Sequence, residues 1–152
     1  GGRLTADGRR IELRPDIQAT HLKRWTFAAT VRSDIVDRAV PWTRLILRQG
    51  RLPRDLNTSP GGRASAVAAW IGVVSAAAAI VDGRALWLTA ASLLTVGLLN
   101  AGLYALFWRR RGAAVAIAGA GLHLLYLLYS SAVFVSVTLV ARAGRHDDGA
   151  DE

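Results

Sequence analysis

The chain has 152 residues, 52% of them hydrophobic, a formal charge of +8 and no cysteine. That length suits one ordinary domain, and the missing thiols exclude disulfides and thiolate metal sites. A basic balance points to nucleic acid or to anionic lipid; here 13 of the 19 Lys and Arg residues lie in residues 1–63, ahead of three lipid-length apolar stretches, which favours lipid.

The chain opens on Gly1-Gly2-Arg3 and contains no Met, so it reads as a piece of a longer protein, or as a processed one. "RLTA" (3–6) has the look of a helix tail, and "ADG" (6–8) of a turn. In "RRIELRPDIQATH", Ile11, Leu13, Ile17, Ala19 and His21 share one parity, and Glu12, Arg14, Asp16, Gln18 and Thr20 share the other. Period two predicts a short, half-buried β element, with Pro15 at an edge or bend and His21 at its tip.

Beyond it, Phe27, Val31, Ile35, Ala39, Trp42 and Leu45 recur at steps of four and three, which defines one helical face. Arg32, Arg38, Arg44 and Arg48 are available to its polar flanks. Pro41 lacks an amide hydrogen and crowds the preceding turn, so two short helices are expected in place of one. An Arg-flanked amphipathic helix with Trp and Phe fits an element lying in the membrane plane. "RLPRDLNTSPGG" (51–62) then forms a Pro/Gly loop.

Three apolar stretches follow: 64–81, 85–108 and 113–141. None contains an ionised side chain; against the roughly 20 residues needed to cross a bilayer, the first is short, the second sufficient and the third long. The expected fold is therefore an α-helical membrane protein, with three transmembrane helices preceded by a short β element and amphipathic interface helices. A soluble bundle would need wet helix faces, which these stretches lack. Arg109, Arg110 and Arg111 place their end, together with the basic block 1–63, in the cytoplasm. That location suits the inner membrane of a bacterium. Ala64, Ala68, Gly72 and Ala76 form a small stripe suited to close helix approach. Asn100 and His123 are polar intruders, expected to bond neighbouring helices.

The order "RLTADGRRIELRPDIQATHLKRW…DRAVPWTRLILR…LPRDLN", followed by membrane helices, resembles the C-terminal part of membrane-anchored family 2 glycosyltransferases. Arg3-Leu4-Thr5-Ala6-Asp7-Gly8-Arg9-Arg10-Ile11 matches the family's R-L-x-x-x-G-x-x-I, which follows its catalytic acidic motif. The resemblance covers residues 1 to about 57. It implies that 1–25 are the C-terminal edge of a truncated GT-A α/β catalytic domain, 26–63 the interface helices and loop, 64–141 the three spans, and 142–152 an acidic flexible tail. The acidic motif and the Asp-x-Asp metal site are not in the chain, so the resemblance assigns it no catalytic residue, and the fragment is not expected to be catalytic alone.

The family's Gln/Arg-x-x-Arg-Trp motif has two counterparts. "HLKRW" (21–25) keeps Arg24 and Trp25 but has His21 in the first position. "RAVPW" (38–42) keeps Arg38 and Trp42 but has Pro41 in place of Arg. Both remain open. The resemblance implies that His21, Lys23, Arg24, Trp25, Arg38 and Trp42 are the donor- and acceptor-binding candidates. A leaving diphosphate needs cationic donors where its charge develops, and a sugar's apolar face stacks on an indole. The whole enzyme is expected to use Mg²⁺ or Mn²⁺, with His21 the one candidate metal ligand here. Expected partners are a nucleotide-sugar donor, a lipid or glycan acceptor and membrane lipids. Nucleic acid is not expected, because the arginines are dispersed among apolar anchors without a reading motif. A non-enzymatic multi-span membrane protein, such as an assembly partner or flippase-type subunit, is the other reading.

Overall fold

The computed structural model describes residues 7–10, 12, 14, 16–17, 26–50 and 58–147, with side chains described as far as residue 143. All regular structure among them is helical: α1 (Phe27–Ser33), a π-helical segment (Asp34–Ala39), α2 (Val40–Gln49), α3 (Pro60–Ala78), α4 (Ala85–Leu99), α5 (Ala101–Arg111) and α6 (Ala113–Asp147).

The expected β element is not found. Much of 9–21 lies outside the described residues, but Arg9, Arg10, Glu12, Arg14 and Ile17 are described and none is in a strand. A strand spends its amides on a neighbouring strand. Here the Ile17 amide donates to the Arg14 carbonyl at 3.2 Å, and Arg14 pairs with Asp16 at 2.9 Å. Local pairing takes the groups that a ladder would use. The turn at Asp7-Gly8 is present, with Gly8 at φ 71, a conformation that glycine adopts without strain.

Thr26 caps α1, its hydroxyl accepting from the Ala29 amide at 3.2 Å. The expected break at Pro41 is replaced by a π-helical turn just before it, in which the Val40 amide donates to the Ile35 carbonyl. Proline cannot donate an amide and its ring crowds the carbonyl four residues back. A wider i to i+5 turn absorbs that conflict without breaking the helix. The wide turn also shifts the buried face by one position. Thr43 and Ile46 are buried, and Trp42 and Leu45, expected on the inner face, point outward. Gly50 ends α2 at φ 62, the left-handed cap typical of glycine.

Three transmembrane helices are also not found. Among the described residues one helix is long and apolar enough to cross a membrane, Ala113–Ala143 with 31 residues, or two if the bent pair Ala85–Leu99 and Ala101–Arg111 is taken as one span. The first expected span fails on length. Helix α3 starts early, at Pro60, behind a Ser59 cap whose hydroxyl accepts from the Gly62 amide at 3.1 Å, and it ends at Ala78, so Ile80 and Val81 fall in a turn. Its apolar part, from Ala64 to Ala78, is about 22 Å long, short of a hydrocarbon core of about 30 Å. The second expected span is broken at Asn100, where α4 and α5 meet at 72°. Asn100 leaves helical geometry at φ −117, ψ 18. Its side-chain amide donates both to the Val96 carbonyl and to Ser65 Oγ, each at 2.9 Å. Asparagine's capacity to bond nearby backbone is what makes it a poor interior helix residue.

Helices α3 and α4 form a tight hairpin through small side chains. Ser65, Ala68, Ala69, Gly72 and Ser75 are buried on α3, and Ser92 and Val96 on α4. Ala68 and Gly72 belong to the predicted stripe, while Ala64 and Ala76 remain exposed. A Cβ at Gly72 would lie 3.4 Å from that of Ser92; small residues permit such approach. Leu127 of α6 joins Ala68, Ala69 and Val96 in the core. Asn100 and His123 do bond neighbouring helices, to Ser65 of α3 and to Tyr104 of α5. α5 packs antiparallel on α6, with Phe107 lying over Gly119.

Candidate functional site

Of the six candidate binding residues, His21, Lys23, Arg24 and Trp25 lie outside the described residues. Arg38 and Trp42 are described. They stand four residues apart on one side of the continuous helix Phe27–Gln49 and both face outward. The Trp42 ring is 54% exposed and the Arg38 side chain 74% exposed. The one-position shift at the π turn leaves Trp42 outward, one turn along from Arg38.

Arg38 is nevertheless held. Its Nη1 donates to Asp34 Oδ1 at 2.9 Å, one turn back. Asp34 is only 19% exposed, and its other oxygen, Oδ2, accepts from the Tyr129 hydroxyl at 2.9 Å. Tyr129 lies on α6, so a two-step polar link joins that long apolar helix to the candidate arginine. A carboxylate accepting one charged and one neutral donor is well satisfied. Ser33 reinforces the same turn by donating to Asp37 at 2.9 Å.

Tyr129 continues a row of aromatic rings on α5 and α6. Its ring meets that of Tyr126 edge-on at 5.4 Å, and Tyr126 stacks near His123 at 6.4 Å. The Tyr104 hydroxyl and His123 Nδ1 are hydrogen-bonded at 2.8 Å. On another side of α6, the Trp70 indole donates to Ser131 Oγ at 2.9 Å. That bond borders an apolar groove of about 820 Å³ between α3 and α6, lined in part by Val67, Ile71, Val74 and Val135.

No group of three or more His, Asp or Glu side chains among the described residues is placed to hold a metal ion. Asp34 and Tyr129 were missed by sequence reasoning because they are 95 positions apart and belong to no shared motif. The one available signal was the rarity of a carboxylate flanked by Ser33 and Ile35 near the inner face of an amphipathic helix. Arg109, Arg110 and Arg111 are exposed at the α5–α6 tip, and Arg109 Nε bonds the Ala105 carbonyl at 3.3 Å. No family model, curated protein or solved structure matches the chain.

Proposed function

We propose that this chain is the membrane-anchoring, acceptor-side portion of a family 2 glycosyltransferase, which moves a sugar from a nucleotide-sugar donor to a lipid or glycan acceptor. The observation that carries this reading is the outward pair Arg38 and Trp42 on an amphipathic helix fastened to the spanning helix. An arginine held beside an indole offers a cation for a leaving diphosphate and a flat apolar ring for a sugar. The R-L-x-x-x-G-x-x-I match at Arg3–Ile11 supports the same family. Lys23, Arg24, Trp25 and His21 remain candidates from the neighbouring motif. The Mg²⁺ or Mn²⁺ that the resemblance implies has no ligand set among the described residues; this chain contributes Arg38, Trp42 and the lipid-facing helices.

The lengths support a place at the cytoplasmic face of the inner membrane. The 31-residue apolar part of α6 measures about 46 Å, roughly 16 Å more than the hydrocarbon core. With that excess placed at the arginine-rich end, Tyr129 comes near the cytoplasmic edge of the core, within reach of a helix lying in the interface. The α3–α4 hairpin returns the chain to the side from which it left, and Arg109–Arg111 then share a compartment with residues 26–50.

The test is nucleotide-sugar turnover by the protein extended upstream, in detergent, across a panel of UDP- and GDP-sugars. Arg38→Ala and Trp42→Ala should each cut transfer tenfold or more while membrane insertion is unchanged. Transfer at the parental rate in both variants removes the site from this helix. The second reading, a non-enzymatic membrane protein, is favoured by the fact that Arg38 already has a partner in Asp34. It predicts no turnover of any donor.

A further inference from the structure

The Tyr129–Asp34–Arg38 link has a direction that a simple packing contact would lack. Asp34 takes Nη1 of Arg38. Among the described residues, the Nε–Nη2 edge of the same guanidinium has no hydrogen-bond partner, and the side chain is 74% exposed. A guanidinium receives a phosphate best through two parallel N–H donors on one edge. An arginine on a free helix surface samples many rotamers and loses that freedom on binding; one already held at Nη1 has less to lose.

Asp34 could not hold Arg38 in this way unaided. A lone exposed pair four residues apart on a helix contributes little. The Tyr129 hydroxyl occupies Oδ2, fixing the carboxylate plane, and Tyr129 is itself fixed by its edge contact with Tyr126. The π turn that begins at Asp34 adds a further constraint, since such turns place side chains where an ordinary helix would not.

We infer that Tyr129 is a positioning residue: its hydroxyl orients Asp34, which grips one end of Arg38 and presents the remaining guanidinium edge to a phosphate group at the membrane surface. The inference deepens the glycosyltransferase reading and rests on it for the identity of the phosphate as a donor diphosphate. The same chemistry could be met by a phospholipid headgroup, and the experiment separates the two sources.

The chain is placed in phosphatidylcholine nanodiscs, and the Nε–H resonance of Arg38 is followed by NMR, assigned by its loss in Arg38→Ala. One arm titrates inorganic pyrophosphate. The other replaces part of the phosphatidylcholine by phosphatidylglycerol. The expected result is a saturable shift with pyrophosphate, weakened about tenfold in Tyr129→Phe, which keeps the ring and removes only the hydroxyl. Asp34→Asn should weaken binding at least as much, and adding Tyr129→Phe to it should change little more, because both act through one path. A hydroxyl with a merely structural role would weaken binding additively with Asp34→Asn, and that outcome overturns the inference. So does an unchanged affinity in Tyr129→Phe, or no shift with either phosphate source. A shift with phosphatidylglycerol alone that depends on the Tyr129 hydroxyl supports the positioning role and counts against the donor-diphosphate reading.

Discussion

Replacing Asn100 by Leu should loosen the contact between α3 and α4 by an amount that the structure allows to be worked out. Leucine is apolar and close in size, so it suits the apolar surroundings, but two interactions change. The hydrogen bond from the Asn100 side chain to Ser65 Oγ, 2.9 Å long, disappears; interhelical bonds of this kind in membranes contribute about 0.6–2 kcal/mol. Ser65, which is 0% exposed, loses this partner, and an orphaned buried hydroxyl costs about 1–3 kcal/mol. The Val96 carbonyl also loses the side-chain amide but keeps the Asn100 backbone amide at 3.2 Å, so it adds little. The expected loss is about 2–4 kcal/mol, read as a lower midpoint in denaturation by SDS in mixed micelles and followed by circular dichroism. The second variant makes the reasoning strict. Ser65→Ala in the Asn100→Leu background removes the orphaned hydroxyl and should recover about 1–2 kcal/mol. If Asn100→Leu is as stable as the parent, or if Ser65→Ala adds a further loss on top of it, the Ser65–Asn100 bond does not hold the hairpin.

Pro41→Ala restores an amide hydrogen where the π turn now avoids one, so the segment Asp34–Ala39 should tighten to an ordinary α-helix. In single-cysteine variants, which the cysteine-free chain permits, maleimide labelling at position 42 should then slow and labelling at position 43 should quicken; an unchanged pattern would mean that Pro41 does not cause the π turn. Gly119→Ala places a Cβ 2.7 Å from Phe107 Cδ2 and should cost about 1–3 kcal/mol by overpacking, with most of it regained when Phe107→Ala is added. The Arg14 hydrogen bond holds the Asp16 carboxyl below its ordinary pKa. Its stabilising effect on the local turn is therefore present above the ordinary carboxylate range and fades as pH falls through the lowered value. Arg14→Gln should raise the Asp16 titration, followed by NMR, toward the ordinary carboxylate range, with the remaining depression due to the backbone hydrogen bond that Asp16 keeps.

Much of the helical organisation is legible in local pattern. The steps among Phe27, Val31, Ile35 and Ala39 announce an amphipathic helix, and the Ala68/Gly72 pair announces close approach by a neighbour. Polar residues alone in apolar surroundings, such as Asn100 and His123, announce bonds between helices. What local pattern does not contain is register and breakage. Pro41 suggests a break, but whether the chain breaks or widens depends on what lies against the helix on α6. Ile80 and Val81 are apolar enough to extend α3, yet the chain turns there, since a hydropathy run does not say where helical geometry stops. The strand expectation rests on alternation alone, and in Arg14, Asp16 and Ile17 short-range bonds use the groups that alternation had assigned to a sheet. The candidate site is half legible: Arg38 and Trp42 stand out by residue type, whereas Asp34 and Tyr129 meet only through the fold.

Sidedness tests most directly whether this helix works at the same membrane face as the arginine-rich tip. Arg44→Cys and Arg110→Cys, each made singly in sealed vesicles of known orientation, are treated with a membrane-impermeant maleimide. Labelling of both from the cytoplasmic side is the predicted result. Labelling of the two from opposite sides would contradict it.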